Sequence, residues 1–218
     1  MIKAQSDIIS AVIILIIALG LMSAAYFWGL PIIQKRQDTS LVDRSYSYFN
    51  QGNTNSLPNV IEAIANSGGD KTFFVDVKGI WILNEEKNYI EFTHTSKVSR
   101  FAVSREGVTP YSISLTPGAQ CTPQPTNGTL GLDKASVVCV QASTIGNQIN
   151  ITYRVWFRDL YENPYSDTGK GYKIVLKQHD SGVSSSTEKS IRIFFSDTNQ
   201  TKVGKKTLIT KEIKILIT

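Results

Sequence analysis

Hydrophobic and polar positions divide this chain into two unlike parts. Residues 8–30 contain no charged side chain, and their large apolar residues, from Ile8 through Leu19, Met22 and Trp28, fall on every side of a helix rather than along one stripe. At a rise of about 1.5 Å per residue, such a helix spans the roughly 30 Å hydrocarbon layer of a bilayer. Leu41, Val42, Tyr46 and Phe49 keep helical spacing beyond Pro31, and Gln51-Gly52-Asn53 is a stop signal. The pattern predicts one helix over residues 6–50, kinked near Pro31. A second is predicted over residues 57–66, with Pro58 in its first turn, a stripe of Val60, Ile61, Ile64 and Ala65, and Gly68-Gly69 after it.

From Lys71 the period changes to two. Strands are predicted at residues 72–77, 80–84, 89–93, 98–103, 111–115, 137–141, 148–157, 172–177, 190–195 and 208–217, separated by Gly, Pro, Asn and Ser turns. The expected fold class is α+β, a long N-terminal apolar helix followed by an antiparallel, immunoglobulin-like β-sandwich head. The last strand sets Ile213, Ile215 and Ile217 on one face and is expected inside the sheet, an edge open to a neighbouring subunit being the alternative. The domain reading is a leader over residues 1–4, the apolar helix and its extension over 5–54, and the head over 55–218 with a short leading helix.

The net charge of +5 is scattered over lysines such as Lys202, Lys205, Lys206, Lys211 and Lys214, which reads as a solvated face and not as a nucleic-acid groove. Cys121 and Cys139 are the only cysteines and suit one disulfide in an oxidising compartment, with two buried free thiols as the alternative. Asn127, Asn150 and Asn199 each begin an N-glycosylation sequon. Lys35 and Arg36 follow the apolar run and Lys3 alone precedes it, so charge counting by itself would hold the polar domain in the cytoplasm. Cysteines and sequons together point outside the cell, and that placement is adopted.

Little in the sequence signals chemistry. His94 and His179 are the only histidines and lie far apart, so neither a two-histidine metal motif nor a Ser-His pair is indicated. Gly68-Gly69-Asp70-Lys71-Thr72 lacks the first glycine of a phosphate loop and follows a helix where such a loop follows a strand. Residues 159–169 gather oxygen ligands, but their spacing matches no calcium loop. The expectation is a non-enzyme with no catalytic residue, metal or cofactor and no nucleic-acid partner.

Three readings compete for the apolar run: a signal peptide cut after the small residues Ser23-Ala24-Ala25, a plain membrane anchor, and an assembly helix. Met1-Ile2-Lys3-Ala4-Gln5-Ser6 is a short leader with one basic residue, directly before the apolar run. This leader, the run and the block from Ala24 to Gln37 resemble the N-terminal segments of archaeal type IV pilin precursors, to which archaellins are related. The resemblance covers roughly residues 3–37. It implies cleavage between Ala4 and Gln5 by a prepilin-type peptidase and residence in the membrane before assembly. It further implies a homopolymer built through the retained helix, forming an extracellular filament on the cell surface for surface or cell adhesion. One departure is that Ile9 stands at the fifth mature position, where bacterial pilins carry Glu. Independently, Gly20 and Ala24, and Ala25 and Gly29, stand four apart, a spacing that lets membrane helices approach closely. The alternative function is a membrane-anchored extracellular binding or stator domain that does not polymerise.

Overall fold

A computed structural model describes residues 2–104, 112–121, 125–166 and 168–217, and only the backbone of residues 2–9 and Ser112. The chain divides into two compact units, residues 1–40 and 41–218. Helix α1 is Ile2–Phe49 and runs without interruption through Pro31. Helix α2 is Leu57–Ser67, with Pro58 at its start and Gly68 at its C-cap with a positive φ of 78°. The Gly68 amide donates to the Ile64 carbonyl at 2.8 Å, satisfying one of the carbonyls that a helix end leaves open.

Thirteen strands follow among the described residues, and they form two sheets. In chain order they are β1 (Asp70–Phe74), β2 (Ile80–Asn84), β3 (Tyr89–Ser96), β4 (Val103–Ser104), β5 (Ser112–Ser114), β6 (Gly128–Thr129) and β7 (Ser136–Ile145). The remainder are β8 (Gln148–Phe157), β9 (Leu160–Tyr161), β10 (Thr168–Gln178), β11 (Ser185–Ser186), β12 (Ser190–Val203) and β13 (Lys205–Ile217). One sheet has the order β1-β12-β13-β10-β9-β6 and the other β11-β2-β3-β8-β7-β4, with β5 also paired to β7.

Alternation along the strands sends one face of each sheet into a shared core. Ile174, Leu176, Ile191, Ile193, Ile213, Ile215 and Ile217 enter it from the first sheet, and Trp81, Ile90, Phe92, Val138, Ile151 and Tyr153 from the second. The stripe of α2 (Leu57, Val60, Ile61, Ile64 and Ala65) is buried in the same cluster. At roughly 1.5–3 kcal/mol per large apolar side chain, that stripe alone contributes several kcal/mol of gross stabilisation.

Three strand-level expectations need correction. Residues 98–103 do not form a strand: only Val103 and Ser104 pair with β7, and that pairing is parallel. The Ser99 hydroxyl accepts from the Phe101 amide and donates to its carbonyl, each at 3.0 Å, so a local turn takes the groups a ladder would have used. The sheets are also not wholly antiparallel. β10 pairs parallel with β13 over Thr168 to Gln178, and β6 pairs parallel with β9. Finally, β12 and β13 extend well past the predicted limits into the polar stretch 196–207, joined at Gly204 with φ 65°. Their backbone pairing there, Val203 opposite Lys206 onward, is independent of the apolar alternation that identified their buried halves.

Asn88 is the one described non-glycine residue with positive φ, at 55°. Its amide nitrogen donates to the carbonyls of Phe157 at 2.9 Å and Ile174 at 2.7 Å, while its side-chain oxygen accepts from the Leu176 amide at 2.8 Å. One side chain thus ties the end of β8, in one sheet, to β10 in the other.

Candidate functional site

The first unit is distinguished by what it leaves uncovered. The helix is long and apolar enough to cross a membrane, with mean hydropathy 2.3 over its best window and none of that window buried. Ile14 is 67% exposed, Met22 70% and Trp28 80%, and the exposed apolar set continues to Ile32 and Ile33. Gly20 and Gly29 have open space where a Cβ would stand, and Ala24 and Ala25 are exposed. Ala4 and Gln5 lie in the first turns of α1, and their side chains are outside the described residues.

In the second unit, residues 41–49 form the last turns of α1 and are fastened into the head by aromatic packing. Phe49 is fully buried and stacks on Tyr153 with ring centroids 4.6 Å apart, and it also packs against Trp81 and Phe92. At the surface Arg100 lies over the Tyr46 ring at 4.0 Å and pairs with Asp43 at 3.2 Å, and Arg44 pairs with Asp76 at 2.7 Å. Such exposed pairs contribute little, on the order of 0–1 kcal/mol each. The buried rings carry most of the attachment.

Beside Phe49 lies a polar trio for which the sequence pattern gave no signal. Ser45 Oγ is 2.9 Å from His94 Nε2 and 3.3 Å from the Tyr153 hydroxyl, and it donates to the Val42 carbonyl at 2.9 Å. Since serine has one proton and that proton is used on Val42, His94 Nε2 and Tyr153 act as donors to Ser45. Nε2 therefore carries a proton, and Nδ1 has no hydrogen-bond partner among the described residues. Burial lowers the His94 pKa to about 4, opposed in part by the Thr95 backbone, and burial raises Tyr153 to about 12. Ser45 and His94 are sealed, at 0% and 2% exposure, so this Ser-His contact meets no substrate and is an internal fastening. Its one sequence trace is that His94 occupies an inward position of β3, between Phe92 and Ser96.

Cys121 and Cys139 form a disulfide with Cα atoms 5.8 Å apart. Asn127 is exposed just before β6, Asn199 is exposed on β12, and Asn150 is half-buried on β8, where its side-chain oxygen accepts from Thr95. In the oxygen-rich loop, Asp159 pairs with Lys173 at 3.2 Å and Glu162 accepts from the Lys170 amide at 3.0 Å, while Asp167 lies outside the described residues. Among the described residues no group of His, Cys, Asp and Glu is arranged to hold a metal ion. Tyr111, at the start of the strand predicted at 111–115, is also outside them.

Set against protein-family models, curated proteins and solved structures, the chain matches none.

Proposed function

We propose that this chain is the structural subunit of an extracellular type IV pilus-like filament, polymerising through its N-terminal helix and serving surface or cell adhesion. The observation that carries the reading is the helix with large apolar side chains exposed all round and small-residue pairs open to a neighbour. The resemblance of residues 3–37 to pilin precursors supplies the direction. Reburial of so many apolar side chains against other copies, at roughly 1.5–3 kcal/mol each, amounts to a few tens of kcal/mol, enough to hold a polymer without covalent links. On this reading the immunoglobulin-like head faces the medium, where its disulfide and any glycans belong.

Two measurements decide it. Electron microscopy of material sheared from cells should show filaments containing this chain, and N-terminal sequencing of that material should begin at Gln5. A mature protein starting at Tyr26 would remove the assembly helix and end the proposal. Uncut or cut protein that stays in the membrane and never forms filaments would favour the anchored, non-polymerising binding domain.

A further inference from the structure

The outward face of the second sheet carries an ordered set of hydrogen-bonding side chains beside a cavity. Ile80, Thr93 and Thr152 stand directly opposite one another on β2, β3 and β8, and in the next row Thr95 stands opposite Asn150. Thr93 and Thr152 share a hydroxyl hydrogen bond of 2.9 Å. Thr95 donates to Asn150 at 3.3 Å, which leaves both protons of the Asn150 amide unclaimed among the described residues. Residues 78–79, just before β2, and 187–189, just after its partner β11, border this face at a cavity of about 630 Å³. That volume lies within the range of small-molecule sites.

The lining has a definite chemistry. Ile80 is 46% exposed and offers a small apolar platform. Around it Thr93, Thr95 and Asn150 present hydroxyl and amide groups at strand spacing, suited to vicinal ring hydroxyls. Lys78 and Lys189 bring two ammonium groups against the single carboxylate of Glu188. Lys78 has no ion partner among the described residues, and Lys189 has only the exposed Asp76 at 3.9 Å. The cavity is therefore net positive, and its hydroxyl and amide groups are set into a lining that is mostly apolar, which suits a ligand with both an apolar face and an anionic group.

We propose that this cavity binds an acidic sugar residue, a pyranose bearing a carboxylate, such as occurs in acidic polysaccharides. The carboxylate sits between Lys78 and Lys189, the ring hydroxyls meet Thr93, Thr95, Asn150 and Glu188, and the apolar ring face rests on Ile80. Binding needs one copy of the chain and does not depend on polymerisation.

The test uses the full chain in detergent, made in a host without N-glycosylation so that Asn150 carries no glycan of its own. Saturation-transfer NMR is recorded with methyl glucuronide, methyl glucoside and acetate. The glucuronide should bind saturably, with the glucoside and acetate at least about tenfold weaker, because a charge-assisted contact adds about that much. The double variant Lys78→Ala/Lys189→Ala should weaken the glucuronide by about tenfold or more, and Thr95→Val by a few-fold, with unchanged melting temperatures. Absence of saturable glucuronide binding, equal binding of glucoside or acetate, or a double variant that binds as well as the parent would each overturn the proposal. None of these outcomes bears on whether filaments form.

Discussion

Ser45 and His94, 49 residues apart in sequence, meet at 2.9 Å in a fully enclosed site where the last turns of α1 enter the head. Their contact joins the helix to β3 through neutral groups alone, with Tyr153 of β8 as the third member. A neutral imidazole held this way makes the attachment sensitive to acid.

The head should lose stability as pH falls from about 6.5 to about 4 and lose no more from His94 below that. The unfolded histidine takes up its proton near 6.5 and the folded one only near 4, so in this window the unfolded state binds more protons and is favoured. The full penalty is about 3 kcal/mol, at about 1.4 kcal/mol per pH unit of separation. Chemical denaturation at pH 7, 5.5 and 4 measures it against His94→Gln, which keeps a donor for Ser45 but cannot charge. Identical pH profiles for the two proteins would refute the assignment.

Asn88→Ala removes three hydrogen bonds linking the sheets and should cost about 2–4 kcal/mol. Asn88→Gly loses the same bonds but tolerates φ 55°, so it should be less damaging by about 1 kcal/mol. Thermal melts of the three proteins give the ranking.

Reduction of the Cys121–Cys139 disulfide, or Cys139→Ser, should lower stability by about 3 kcal/mol, the chain-entropy value for a loop of this size. Mass measurement after alkylation without reductant should find no free thiol. Two alkylated cysteines in the native protein would contradict the pairing.

Gly20→Leu adds bulk where the helix has open space and so should leave folding and membrane insertion intact. If the small-residue face is the contact between copies, the variant accumulates in membranes with few or no filaments. Ala18→Asp places a charge that must be desolvated and should abolish assembly altogether. Normal filaments from Gly20→Leu would show that copies meet through another face.

Much of the architecture was legible because it rests on periodicity. The uncharged run fixed α1, the Pro58 and Gly68 signals bounded α2 to within one residue, and residues 148–157 read as a strand with the observed limits. What the pattern could not carry was structure made by backbone pairing without apolar alternation. The polar halves of β12 and β13 looked like loop because Asp197, Thr198, Asn199, Gln200 and Thr201 are exposed and lack alternation. Val98 and Phe101 looked like strand because both are apolar, yet they pack on the core from a turn held by Ser99. The Ser45 and His94 contact was invisible for a different reason, since it depends on tertiary folding that brings α1 onto β3. The cavity beside Ile80, Thr93 and Asn150 depends likewise on which residues of three strands stand in register.

The placement of β13 between β12 and β10 also dictates an order of events during synthesis. β10 and β12 have no contact in the sheet until residues 205–217 slide between them, pairing parallel to one and antiparallel to the other. A nascent chain still lacking this stretch leaves β10 and β12 each with one unpaired edge and the core without Ile213, Ile215 and Ile217, so the head cannot close until these residues have left the ribosome. On the proposed function, the apolar helix would therefore enter the bilayer before the head that follows it has closed.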